Sequence, residues 1–157
     1  MPYNSTKTET ANAIIANTGG NFEGVNVFNG ATAAIVYIVD NITETIALTC
    51  TYNNDPTVTV EDSGQLTVGD LVFGNGIPVD AKVASITNAT TIEITADTTG
   101  GNITGPLNFE PLSNTLCKFH VAADTTYFYR GFNLVCRTGI KIVSTNWANL
   151  EIFTLHN

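Results

Sequence analysis

The apolar positions of this chain recur mostly at every second residue, and no helix of ordinary length is predicted. Phe22 to Phe28 alternates, with Val25 and Val27 on one face. Ala33 to Val39 places Ile35, Tyr37 and Val39 on one face and Val36 and Ile38 on the other. Both faces are apolar, as expected of a central strand covered on both sides. Thr45 to Tyr52 carries Ile46, Leu48, Cys50 and Tyr52 at strict period two. Asn29-Gly30 and Asp40-Asn41 are turn signals between these segments. Residues 1–21 lack such alternation. They are polar and rich in Asn, Thr and Ala; the short Ala11–Ala16 stretch with Ile14 and Ile15 could form one helical turn, but an extended arm that orders on a neighbour is expected.

The tempo changes at the breaker cluster Asn53-Asn54-Asp55-Pro56 and again at Gly100-Gly101-Asn102. Between them, strands are predicted near Thr57–Val60, Asp70–Phe73, Lys82–Thr87 and Thr91–Thr95, with a fifth near Gly105–Glu110. The Gly74-Asn75-Gly76-Ile77-Pro78 turn separates two of them. Gly74 and Gly76 are expected to supply the positive φ of a tight reversal, and Pro78 to fix its exit. Pro111 to Asn114 reads as a return linker. The first tempo then resumes. Cys117, Phe119 and Val121 share a face, as do Phe132, Leu134 and Cys136. Ile140–Val143 and Leu150–Leu155 end the chain.

The expected architecture is an all-β, antiparallel, jelly-roll-like sandwich interrupted by a small β module. The arm is residues 1–21, the host sandwich 22–52 and 115–157, and the inserted module 53–114. Insertion at a turn is tolerated because loop-closure entropy grows slowly with length. A continuous β-barrel with a long meander also fits the pattern.

Composition narrows the function classes. Charged residues are 13 % of the 157, replaced by 25 Thr and 18 Asn. Thr favours strands and Asn favours turns, so the surface is neutral and hydrogen-bonding. A mean hydropathy of +0.13 points to apolar surface held against partners. Six Lys and Arg against 14 Asp and Glu give a net charge of −8. That argues against nucleic-acid binding, which needs clustered basic residues. No signal peptide is visible, and no apolar run approaches a membrane span. The odd set Cys50, Cys117 and Cys136 matches no metal spacing and reads as buried free thiols from a reducing cytosol.

The run from Val68 to Thr95, with Gly74, Gly76-Ile77-Pro78, Val83, Ser85-Ile86 and Ala89-Thr90-Thr91, resembles a β module of bacteriophage virion proteins. Tail-fibre and head-associated proteins carry it, and the match spans about Thr57 to Thr99. The ending Phe132…Thr138-Gly139-Ile140-Lys141-Ile142-Val143, followed by Leu150-Glu151-Ile152-Phe153, resembles the C-terminal hairpin of small phage head proteins. The resemblance implies a structural protein on the virion exterior, assembled in the bacterial cytoplasm. A capsid decoration or cement protein is expected, binding the major capsid protein and self-associating as a homotrimer. A tail-fibre component with a glycan-binding module is the alternative.

Several polar groups could in principle carry chemistry. Cys117, His120 and Asp124 contain a nucleophile, a base and an acid, but Cys117 and His120 point to opposite faces of a strand. Glu61-Asp62, Asp70 and Asp80 offer carboxylates without an aromatic platform for a sugar ring. Asp40, Asn41 and Glu44 lack the spacing of a Ca²⁺ loop. Gly74-Asn75-Gly76 lacks the Lys-Ser/Thr and helix of a phosphate loop. No catalytic residue, metal, cofactor, membrane or small-molecule substrate is therefore expected. The candidate contacts to shell or subunit are Ile14, Ile15, Tyr127, Tyr129 and Trp147, with Phe128 expected in the core.

Overall fold

The computed structural model describes residues 5–9, 12–16, 20–145 and 151–156, of which 5–9, 13, 16, 23, 129–133 and 151–156 as backbone only. The chain divides into two compact units, Met1–Ile42 with Asn114–Asn157, and Thr43–Ser113.

The first unit holds eight strands: β1 (Ser5–Glu9), β2 (Ala13–Ala16), β3 (Gly20–Phe28), β4 (Ala34–Val39), β11 (Thr115–Val121), β12 (Thr126–Cys136), β13 (Ile140–Ser144) and β14 (Glu151–His156). They form two antiparallel sheets, ordered β1-β14-β3-β12 and β11-β4-β13-β2. Renumbered within this unit alone, the first sheet runs one-eight-three-six and the second five-four-seven-two, the strand order of a jelly roll. The sheets close on one core. Phe22, Val25, Val27 and Cys136 come from the first sheet, and Ile15, Val36, Ile38, Phe119, Val121, Ile140 and Ile142 from the second. Strand β4 is buried on both faces, since Tyr37 and Val39 are as covered as Val36 and Ile38. The all-β sandwich expected from the alternation is present.

The expected arm is corrected by this topology. Ser5–Glu9 pairs residue by residue with His156–Ile152, and Ala13–Ala16 pairs with β13. Both are strands of the sandwich. Ile15 is only 8 % exposed and belongs to the core. The segment lacks a sequence signature because β1 is held by backbone hydrogen bonds, which any residue type supplies.

The second unit is a six-stranded antiparallel sheet of β5 (Ile46–Asn53), β6 (Thr57–Val60), β7 (Leu71–Phe73), β8 (Val83–Asn88), β9 (Thr91–Ile94) and β10 (Asn102–Glu110). Its order is β7-β10-β5-β6-β9-β8. The sheet curls until its two edges meet. Leu71 bridges Lys82, Gly69 N–H donates to Val83 O at 2.8 Å, and Val72 N–H donates to Ala81 O at 2.8 Å. Every strand contributes to the interior, through Cys50, Tyr52, Val58, Val60, Val72, Val83, Ile92, Ile94, Leu107 and Phe109. Pro106 is tolerated in β10 because β7 covers only Asn108–Glu110 on that side.

The boundary expected at residue 53 is also corrected. Ile46–Asn53 belongs to the inserted unit, paired along its length with β10. The period-two face of Ile46, Leu48, Cys50 and Tyr52 packs into the curled sheet and not into the sandwich. Asn53-Asn54-Asp55-Pro56 is the hairpin turn between β5 and β6, with Asn54 at φ 52°, and so lies within the module. The insertion replaces the turn between β4 and β11, which are hydrogen-bonded neighbours. Asp40 N–H donates to Asn114 O at 3.1 Å, so the chain leaves and re-enters the sandwich side by side.

Candidate functional site

The Gly-rich run is built as a structural junction. Gly76 has φ 71°, and a Cβ there would stand 2.1 Å from the carbonyl oxygen of Thr99. Thr99 N–H donates to Gly76 O at 2.8 Å, so two backbones touch at this point. Gly74 plays a different part from the one expected. Its φ is not positive, and a Cβ there would meet Leu107 Cδ2 at 2.2 Å. Tyr52 Oη donates to Asn75 O at 2.5 Å, and Gly101 N–H donates to Asn54 Oδ1 at 2.8 Å. These bonds knit the loops after β5, β7 and β9 at one end of the curled sheet.

Asp40 is the most engaged carboxylate of the sandwich among the described residues. Its Oδ2 accepts from Arg137 N–H at 2.8 Å, and its Oδ1 from Thr138 N–H at 2.7 Å and Gly139 N–H at 3.1 Å. The side chain thus ties the end of β4 to the turn between β12 and β13. Burial works to raise its pKa, but the three N–H donors and the Arg137 charge outweigh it and hold the carboxyl below its ordinary value. The ionised form is therefore favoured by folding. Its contribution is present above the unfolded pKa and is lost as pH falls through the lowered folded value. Asp40→Asn is expected to destabilise the sandwich at pH 7 by about 1–3 kcal/mol, because an amide offers one acceptor oxygen for three donors. Urea unfolding should show the gap between variant and parent narrowing as pH drops below ~4. A gap independent of pH would contradict the charged clamp.

The remaining chemical candidates fall apart in space or are occupied by the backbone. His120 is exposed, whereas Phe119 and Val121 on either side of it are buried. Cys117 is half-buried and packs against the sandwich core. Burial raises its pKa, and pushes those of Cys50 and Cys136 up to about 11, so the thiols are protonated and poor nucleophiles at neutral pH. Asp124 sits in a turn at φ 52° and donates its N–H to Gly30 O at 2.7 Å. Asp62 Oδ1 accepts from Gly64 N–H at 2.8 Å and Asp70 Oδ2 from Thr67 N–H at 2.8 Å. Asp80, at φ 64°, lies 3.7 Å from the Lys82 ammonium. Among the described residues, no three His, Cys, Asp or Glu gather as a metal site. An open depression of about 560 Å³ lies along Thr43–Leu48 and Gln65. Glu44 is its lone ionisable group, so it holds no acid–base pair.

No family model, curated protein or solved structure matches the chain. Its function must be argued from surface and architecture.

The predicted contact residues are redistributed. Ile15 is in the core, and Ile14 is half-buried on β2 opposite Lys141. Tyr127 packs against the sandwich core. Phe128, expected inside, is instead 62 % exposed and stands edge-on to Phe28 with ring centroids 6.0 Å apart. The side chain of Tyr129 and the whole of Trp147 lie outside the described residues. The inversion of Tyr127 and Phe128 has a local cause. Register between β12 and β3 shifts between Arg130 and Leu134. Phe128 is exposed while Leu134 and Cys136, of the same parity, pack on the core, so the alternation of β12 breaks at this irregularity, where four steps of β12 stand against two of β3. The matching signal was present on β3, where Phe22 and Val25 are both buried although their spacing breaks the alternation.

Proposed function

We propose that this chain is a bacteriophage virion structural protein, a capsid decoration or cement protein that binds the outer shell and stabilises capsomer junctions. The observation that carries the reading is an eight-stranded jelly roll with a separately cored β unit inserted between its fourth and fifth strands. Jelly rolls serve viral capsids and lectins alike, so this is support by analogy of fold. The polar groups singled out along the chain point the same way. Asp40, Asp62, Asp70 and Tyr52 are spent on holding loops and turns. The surface is rich in Thr and Asn, and an aromatic pair stands open on one sheet. Adhesion at capsomer junctions needs no strong single contact, because copies on one particle act at high effective concentration. The major capsid protein is the partner in this reading, and copies of the chain meet one another on the virion exterior.

The test uses the full chain and shells of the parent particle stripped of it. The chain is expected to co-sediment with the shells and to raise the temperature at which they open, while a glycan array stays silent. Sugar binding without shell binding would replace this reading with the tail-fibre one.

A further inference from the structure

The sequence contains two Asn-Gly pairs, Asn29-Gly30 and Asn75-Gly76. Such a pair is prone to intramolecular ring closure, because glycine places no side chain in the way of its own nitrogen. The structure separates the two. Asn29 is buried, and its Nδ2 donates to Ala122 O at 2.8 Å and to Val121 O at 3.3 Å. Asn75 is exposed in the turn after β7, and among the described residues no hydrogen bond holds its side chain. A second observation sets this turn apart. Tyr52 Oη, on a side chain only 3 % exposed, donates to Asn75 O at 2.5 Å. That oxygen belongs to the peptide unit whose nitrogen, on Gly76, would attack. When the nitrogen gives up its proton, the negative charge is shared with the carbonyl oxygen, and a buried donor aimed there stabilises it. Burial and, after it, the nearby Cys50 thiol raise the Tyr52 pKa, so the hydroxyl stays a donor in neutral and mildly alkaline solution.

We propose that Asn75-Gly76 is a self-modification site, in which the Gly76 nitrogen attacks the Asn75 side-chain amide and Tyr52 promotes the attack. A bond forms between Gly76 N and Asn75 Cγ, the Cγ–Nδ2 bond breaks, and ammonia leaves with the proton of Gly76 N–H. Water then opens the cyclic imide at either carbonyl. Opening at Cγ gives an aspartyl residue, and opening at the backbone carbonyl gives an isoaspartyl linkage. Either product adds a negative charge. The isoaspartyl product also runs the chain through the former side chain and lengthens the backbone by a methylene beside Gly76. Gly76 has no such slack, since its O accepts from Thr99 N–H at 2.8 Å and its Cα lies close to Thr99 O. Modification therefore loosens the junction that closes this end of the curled sheet. The site does not depend on the virion reading.

The experiment ages the full chain at physiological pH and temperature. Peptide mapping follows both Asn-Gly pairs, with mass spectrometry reading the change from amide to acid and chromatography separating aspartyl from isoaspartyl peptides. Conversion at Asn75 is expected to be at least as fast as in the same chain unfolded in urea, whereas Asn29 should convert only in urea. Tyr52→Phe should slow the native Asn75 rate by roughly fivefold, the effect of losing one hydrogen bond, and leave the rate in urea unchanged. The inserted unit of the aged parent chain should melt at a lower temperature. Asn75→Gln, whose longer side chain closes a ring poorly, should not show that fall. Native conversion slower than in urea overturns the proposal, as does Asn29 converting alongside Asn75. That comparison needs no variant, so it decides the matter even if Tyr52→Phe fails to fold. An unchanged or faster native rate in folded Tyr52→Phe overturns the role of the phenol.

Discussion

A chain beginning at Gly20 is expected to lose its stable sandwich. The deletion removes β1, which pairs with β14 at five successive positions, and β2, which pairs with β13. It also removes Ile15 from a core shared by both sheets. Loss of a buried isoleucine alone costs roughly 2–5 kcal/mol. The lost ladder hydrogen bonds add roughly 0.5–1.5 kcal/mol each before the ordering entropy of the strands is returned. Against a total stability of about 5–15 kcal/mol, this is a large share. Calorimetry should show the sandwich transition falling by at least ~10 °C, since ~1 kcal/mol moves the midpoint of a domain of this size by ~4–8 °C. The curled sheet of 43–113 has its own core, and its transition should stay where it was. An unchanged sandwich transition would mean that residues 1–19 are the arm that their polar sequence predicts.

Gly76→Ala is the point substitution with the largest expected effect. Alanine at φ 71° is strained by roughly 1–2 kcal/mol. Its Cβ would also fall 2.1 Å from Thr99 O, which is backbone and cannot rotate away. The loop must open, and the hydrogen bonds from Thr99 N–H and Oγ1 to Gly76 O go with it. A loss of ~3–5 kcal/mol in the inserted unit is expected, read as a lower denaturant midpoint of its transition. Gly101→Ala is the control. It shares a positive φ, 84°, but has nothing within 4 Å of its Cβ, so it should cost only the conformational strain. Equal effects of the two substitutions would show that close backbone approach is not what Gly76 provides.

Several features could be read along the chain because they are local. The alternation of Ile35, Tyr37 and Val39 with Val36 and Ile38 announced a strand buried on both sides, and β4 is one. Asn53-Asn54-Asp55-Pro56 announced a turn, and Asn54 makes it with a positive φ. The same four residues were silent on whether the turn ends a domain or joins two strands within one. That depended on β10, some fifty residues away, which takes Ile46–Asn53 as its partner. Asp40 looked like a turn residue, yet its carboxylate reaches the backbone of residues 137–139. The exposure of Phe128 could not be read at all, because the alternation of β12 breaks between Arg130 and Leu134.

The all-β class, the strand-forming segments and the presence of an insertion are legible in the order of the residues. Each follows from side-chain period and turn chemistry, which act between residues close in the chain. That the first residues are sandwich strands, that the inserted unit begins at residue 43, and which aromatic ring faces out emerge only once distant strands pair. Those outcomes rest on backbone hydrogen bonds and on registers between distant strands. Backbone donors and acceptors are the same for nearly every residue, so their choice of partner leaves little trace in the order of the side chains.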